Sequence, residues 1–201
     1  PGNCRADDSL SGTVANLENR PRHLPLVIDA ALPAPIVGAH VAPRGVTIIG
    51  HSMGGYTALA VAGGKPTSLA QESPNGTAVT VPVTRDARVS ALVLLAPATP
   101  WFMASGALAD VDVPILMRTG ERDMLTTAFH AQVVASGLQD PAQLDHLVVA
   151  NAGVGDPTPA QTATWPMVER MLDVNVMGAA ATITAVLPQM IARRHGKVVV
   201  I

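Results

Sequence analysis

The chain has 201 residues, of which 48% are apolar and 14% charged, with a mean hydropathy of +0.32; this excludes disorder over most of its length and supports one domain with a real core. With 13 Lys and Arg against 15 Asp and Glu, and a net charge of −2, it has no basic field for a phosphate backbone, so nucleic acid is excluded as a partner. A single cysteine, Cys4, excludes an internal disulfide framework and a multi-cysteine metal site, and with no apolar run near the ~20 residues of a membrane span the composition predicts a cytoplasmic protein without membrane contact.

Two Phe, one Tyr and two Trp leave the core to Ala, Val, Leu, Ile and Met. Residues 1–13 are polar and carry no motif. From Val14 to Leu32 apolar residues recur at helical spacing, and Pro21 and Pro25 confine the predicted helix to about 22–32. Val46–Ile49 is β-branched and predicts a strand buried on both faces. Gly54–Ala62 predicts a helix, and the polar 63–88 stretch a mobile loop or insertion outside the core. Ala91–Leu95, Pro114–Met117 and Leu147–Ala150 predict further strands, with a helix over Thr126–Leu138 between the last two. Trp165–Ile191 is helical in pattern, bent near Gly178 and Pro188, and Lys197–Ile201 predicts a fifth strand. The chain begins without Met and stops within that strand, so both ends read as cut. Strands alternating with helices predict an α/β three-layer sandwich on a mostly parallel sheet of about five strands, with helices on both faces.

Gly50-His51-Ser52-Met53-Gly54-Gly55 matches G-x-S-x-G. It lies between a predicted strand and an apolar helix, the context in which a sharp turn lifts a serine hydroxyl above the C-terminal ends of the strands. The helix N-terminus beside it favours developing negative charge. This makes Ser52 the candidate nucleophile and the Met53 backbone N–H a candidate oxyanion donor. The alternative is a Gly-rich turn whose serine merely caps the helix. The strand at 114–117 runs into a Gly turn ending at Asp123, the place and chain order of a triad acid. The alternative there is a turn or capping Asp before the next helix.

Arg20-Pro21-Arg22-His23-Leu24, the Gly50–Gly55 turn with Tyr56-Thr57-Ala58-Leu59-Ala60 behind it, Leu94-Leu95-Ala96-Pro97 and the Gly120–Asp123 turn together resemble the α/β-hydrolase superfamily, in its dienelactone hydrolase and platelet-activating-factor acetylhydrolase branch. The resemblance covers about residues 15–152. It implies a serine hydrolase acting on a small-molecule carboxylic ester or lactone, with no cofactor and no metal. In that branch the loop after the strand that follows the acid carries the triad His; here that position holds Val154.

From Leu147 onward the chain resembles a short-chain dehydrogenase/reductase instead. Leu147-Val148-Val149-Ala150-Asn151-Ala152-Gly153-Val154-Gly155 is similar to that family's fourth strand and N-A-G turn, Asp173–Gly178 to its helix bearing the active-site Asn, here Asn175, and Gly196–Ile201 to its fifth strand. The glycine-rich dinucleotide turn and a Y-x-x-x-K are missing from this chain, so hydride transfer has no residues to run on. The expected organisation is a hydrolase-like part, 1–152, and a dehydrogenase-like part, 153–201, completing the same sheet.

His146 and His195 precede their predicted strands, which places them at the N-terminal sheet edge, roughly 16 Å from Ser52. His51 sits inside the turn and His130 on the helix beyond the acid; these read as surface or packing histidines. The sequence therefore predicts a serine ester hydrolase with an incomplete triad. Its alternatives are a non-catalytic α/β binding or structural domain, or an incomplete reductase fragment.

Overall fold

The fold is described from a computed structural model for residues 7–38 and 45–149. In chain order the elements are α1 (Val14–Ala31), α2 (Pro35–Gly38), β1 (Val46–His51), α3 (Met53–Val61), β2 (Val89–Leu95), β3 (Ile115–Gly120), α4 (Ala128–Gly137) and β4 (Leu144–Val149). Single 3-10 turns occupy Ala70–Glu72, Pro100–Phe102 and Pro141–Gln143. The architecture is an α/β sandwich on a parallel sheet of order β1-β2-β3-β4. Four strands are present among the described residues; the fifth, expected at Lys197–Ile201, and the helical pattern of Trp165–Ile191 lie outside them.

Side chains alternate across each strand, and burial follows the alternation. Ile48, Leu92, Leu94, Ile115 and Met117 are at most 2% exposed, whereas Ile49, Val93 and Leu116, on the opposite face, keep part of their surface. In the run Val46–Ile49 Ile48 alone is fully buried, so the expected burial on both faces of β1 is not reached. The sheet carries α3 against β1 and β2, and α1 packs on α3.

Helix α1 starts eight residues before the predicted boundary. Thr13 caps it, its hydroxyl accepting the Asn16 N–H at 3.3 Å. Pro21 and Pro25 lie inside the helix rather than at its start. A proline has no N–H for the carbonyl four residues back, so Pro21 leaves the Leu17 carbonyl without its usual donor. The buried Tyr56 hydroxyl, on α3, donates to that carbonyl at 2.9 Å. A tertiary bond thereby replaces a helical one, which is why the local pattern alone starts the helix too late.

The core is aliphatic except at one place. Tyr56 stacks edge-on against Trp101, with ring centroids 5.0 Å apart, and lies 5.6 Å from Phe102. Burial pushes the Tyr56 phenol well above its usual range, with Glu72 adding to the effect. The Glu72 carboxylate accepts the Trp101 indole N–H at 2.8 Å and the Leu69 N–H at 2.7 Å.

These bonds correct the expectation for residues 63–88. The stretch is irregular, but it is pinned. Val81 is 2% exposed, Thr67 bridges to Thr80, and Lys65 and Thr67 donate backbone N–H groups to Ala107 and Trp101. At its end Arg88 grips the buried Asp86 with two nitrogens and reaches Asp29 on α1 at 2.5 Å. Hydrogen bonding from Arg88 holds the Asp86 carboxyl below its ordinary range against the opposing effect of burial. Polar residues here serve buried partners, which a composition reading takes for solvent exposure.

Replacing Tyr56 with Phe keeps the ring packing and removes the donor to Leu17. A buried carbonyl left without its partner costs about 1–3 kcal/mol, so the Tyr56→Phe urea midpoint falls by the corresponding amount while the slope of the transition stays unchanged.

Candidate active site at the β1–α3 turn

Strand β1 passes into α3 through Ser52 alone, and Ser52 holds φ 51° and ψ −117°. A non-glycine residue at positive φ costs on the order of 1–3 kcal/mol and persists only where its surroundings fix it. They do so here. The Ser52 N–H donates to Leu95 at 3.0 Å, and its carbonyl accepts from Gly55 and Ala98, both at 2.9 Å. The second non-glycine residue at positive φ among the described residues, Ala96 at 45°, ends the neighbouring strand β2.

Gly50 and Gly55 are steric requirements of this turn. A Cβ at Gly50 would stand 2.3 Å from the Gly54 carbonyl oxygen, and one at Gly55 would stand 2.5 Å from the Pro97 Cβ. Both contacts involve atoms that cannot swing away. Ser52 occupies the N-cap position of α3 but makes no side-chain capping bond. Its hydroxyl is therefore not engaged as the helix cap. Met53 opens the helix, where the first N–H groups have no intrahelical acceptor and the helix dipole is positive.

Asp123 lies three residues past the C-terminal end of β3. Ser52 and Asp123 therefore share the C-terminal edge of the sheet, with β2 between their strands, a lateral offset of roughly 10 Å at ~4.8 Å per strand. The Asp123 carboxylate is engaged in a local turn. One oxygen accepts the N–H groups of Leu125 at 2.9 Å and Thr126 at 2.8 Å, and the other accepts the Thr126 hydroxyl. Burial pushes its pKa up, but these donors, with His130 nearby, outweigh burial and leave it below the ordinary carboxylate value. Lone pairs remain for a further donor.

His130 is the imidazole that sequence reasoning set aside and that the fold brings toward Asp123. It sits in the first turn of α4, seven residues on. Its Nδ1 accepts the Thr99 N–H at 3.0 Å, while the Thr99 hydroxyl donates to the His130 carbonyl at 2.9 Å. Thr99 follows Ala98, whose N–H holds the Ser52 carbonyl. The ring is thus a pin between α4 and the loop behind Ser52. Burial lowers its pKa, and the Leu125 backbone bond and Asp123 recover only part of the drop. The sequence places His130 on the helix beyond the acid; Thr99 as its partner, far away in the chain, leaves no local signal.

His146 corrects an expectation. It lies inside β4, which begins at Leu144 rather than Leu147, and it pairs with Met117, which pairs with Leu94, which pairs with Gly50. It is therefore level with Gly50 and not at the N-terminal edge. Its separation from the turn is lateral, three strand spacings or roughly 14 Å. Its Nε2 is 2.8 Å from the Thr119 hydroxyl, and burial, then Arg118, lowers its pKa. A search for unbroken apolar runs misses the start of a strand whose side chains are exposed. A groove of about 300 Å³ opens beside His146 and α4; neither Ser52 nor Asp123 lines it. Val154, Asn175 and His195 lie outside the described residues. Among the described residues no three His, Cys, Asp or Glu side chains gather as a metal site, and no helix is long and apolar enough to cross a membrane.

The comparisons divide along the chain. A family model described as short chain dehydrogenase matches residues 117–201. Over that stretch the chain is similar to short chain dehydrogenases. A relative from Myxococcus xanthus (strain DK1622), named an uncharacterized oxidoreductase, is 57% identical over 53 residues, which is 26% of this chain and 21% of the relative. The match thus spans about a fifth of that relative's length. Among solved structures, a truncated carbohydrate esterase from gut microbiota is 14% identical with a TM-score of 0.39, covering 61% of this chain and 56% of its own. The esterase domain of a Rhodothermus marinus protein is 18% identical with a TM-score of 0.34, covering 76% and 66% respectively. The dehydrogenase match begins inside β3, so it overlaps the stretch with hydrolase resemblance across β3, α4 and β4.

The His130 pin predicts a pH dependence. Protonating Nδ1 removes the acceptor of the Thr99 N–H, and the folded pKa lies below the unfolded value of about 6.5. The folded state then binds fewer protons than the unfolded one, so stability is full above about pH 6.5 and declines as pH falls toward the folded pKa. Denaturation midpoints measured from pH 7.5 to 5 decline more steeply in the native chain than in His130→Gln, where only the His130 contribution is gone.

Proposed function

We propose that the chain carries the nucleophile turn of a serine hydrolase for carboxylic esters or lactones, impaired because the triad histidine is not at its expected place. The observation that carries this reading is the backbone of Ser52, held at positive φ between a strand and a helix with a hydroxyl that does not cap the helix. In the proposed chemistry the Ser52 oxygen attacks the ester carbonyl and its proton passes to a base. The carbonyl oxygen takes up negative charge against the Met53 N–H, and the alcohol leaves with a returned proton, giving an acyl-serine that water hydrolyses. Asp123 would orient the protonated base. His130, in this arrangement, has its Nδ1 committed to Thr99 and serves as a pin. Without a base the serine is a poor nucleophile at neutral pH, and in one well-studied serine protease loss of the histidine costs about 10⁶-fold in turnover.

A fluorophosphonate probe and p-nitrophenyl acetate test the reading together. The native chain shows esterase turnover at or near background and slow probe labelling confined to Ser52, absent in Ser52→Ala. Val154→His raises turnover measurably, and Ser52→Ala in that background removes the gain. Labelling that persists in Ser52→Ala, or brisk turnover independent of Ser52, overturns it.

A second reading is favoured by the dehydrogenase match over residues 117–201: an incomplete short-chain dehydrogenase/reductase fragment, without catalysis of its own. Titration calorimetry with NAD and NADP tests for a retained dinucleotide site. The hydrolase reading expects no saturable binding, since the chain carries no glycine-rich strand-helix turn with a following acidic residue for the ribose. Saturable micromolar affinity favours the fragment.

A further inference from the structure

We propose that Asn75 is a self-modification site, its side-chain amide converted without an enzyme to aspartate and isoaspartate through attack by the Gly76 backbone nitrogen. Residues 73–77, Ser-Pro-Asn-Gly-Thr, form a reverse turn in the stretch that follows α3, closed by the Gly76 N–H donating to the Ser73 carbonyl at 3.0 Å. Pro74, Asn75, Gly76 and Thr77 are all exposed, so water and base reach the turn. Within it Asn75 Oδ1 accepts three hydrogen bonds, from the Thr77 N–H at 3.2 Å, the Thr77 hydroxyl at 2.7 Å and the Ser73 hydroxyl at 2.8 Å. The bond to the N–H two residues on folds the asparagine side chain over the intervening peptide, as a further residue of backbone would fold. The ring closed by that bond contains both the Asn75 side-chain carbonyl carbon and the Gly76 nitrogen, and so holds the two reacting atoms beside each other.

The three donors also activate the carbonyl. They draw electron density from its carbon, and they stand where negative charge collects on the oxygen when that carbon becomes tetrahedral. Gly76 supplies the nucleophile with the least obstruction: it holds φ +68°, nothing lies within 4 Å of where a Cβ would stand, and no side chain shields its nitrogen. In the reaction the Gly76 nitrogen gives its proton to hydroxide and forms a bond to the Asn75 side-chain carbonyl carbon. The side-chain nitrogen takes up a proton and leaves as ammonia, and a cyclic imide remains. Water opens the imide at the side-chain carbonyl to give aspartate, or at the main-chain carbonyl to give isoaspartate, in which the chain runs through the former side chain. The sum is amide plus water to acid plus ammonia, with no change of oxidation state. The bond from the Gly76 N–H to Ser73 is the brake, and a lone exposed turn bond opens at little cost. Asn16 and Asn19, the other asparagines among the described residues, lie inside α1, where the next nitrogens belong to Leu17 and Arg20 and are held in the helix. The product adds a negative charge between two anchors of this stretch, Glu72 on Trp101 and the Val79 N–H on the Ser68 hydroxyl. None of this depends on the hydrolase reading.

The test is peptide mapping by mass spectrometry of the full chain, sampled over days at pH 8 and 37 °C, with isoaspartate distinguished from aspartate by electron-transfer fragmentation. The expected result is amide-to-acid exchange at Asn75 and not at Asn16 or Asn19, with both isomers formed. The same chain kept in guanidinium chloride gives the rate that the Asn-Gly sequence has by itself, and the folded chain is expected to react at Asn75 at least as fast. Gly76→Ala slows the exchange at least fivefold. The double variant Ser73→Ala, Thr77→Val, which removes two of the three donors and leaves the Asn-Gly pair intact, slows it at least threefold. Slower reaction in the folded chain than in guanidinium chloride shows that the turn protects Asn75, and overturns the proposal with no variant needed. Reaction in the double variant as fast as in the native chain removes the donors from the argument and overturns it equally, as does an Asn75 that stays intact.

Discussion

The constraint on which the rest of the interior depends is the contact between Gly50 at the end of β1 and the Gly54 carbonyl in the first turn of α3, where no room exists for a Cβ. It forces the chain to reverse within one residue, and that residue, Ser52, accordingly holds positive φ. The turn fixes the line of α3 over β1 and β2 and thereby the position of Tyr56. Tyr56 in turn supplies the hydrogen bond that Pro21 cannot, and its ring gathers Trp101 and Phe102. Trp101 holds Glu72, which anchors the long irregular stretch after α3. One tight crossing thus sets the interior from α1 to the β2–β3 connection.

The same crossing decides what chemistry the sheet edge can offer. A serine lifted above the strands at a helix N-terminus is suited to attack and to charge stabilisation, which is the basis of the proposed function. The neighbouring groups are committed elsewhere. Asp123 organises the entry to α4, and His130 ties α4 to Thr99. The edge therefore combines a strained, presented hydroxyl with an acid and an imidazole whose present bonds stabilise the fold. That combination accounts for a hydrolase-like geometry proposed to turn over slowly.

The β3-α4-β4 unit belongs to both resemblances because its requirements are generic. A buried strand, a short turn, an amphipathic helix and a second parallel strand satisfy any α/β sheet, and the dehydrogenase match begins within it.

The sequence by itself determined the α/β class, the position of each described strand to within a few residues, and the turn at Ser52, because strand burial and glycine at a close crossing leave local signatures. Their reach ended where a partner distant in the chain carried the energy. The start of α1 depended on a hydroxyl from Tyr56, the anchoring of residues 63–88 on Glu72 and Arg88, and the level of His146 on its register with Met117. Only the tertiary structure decided these, since a hydrogen bond or a strand register between residues far apart in sequence has no periodicity to read.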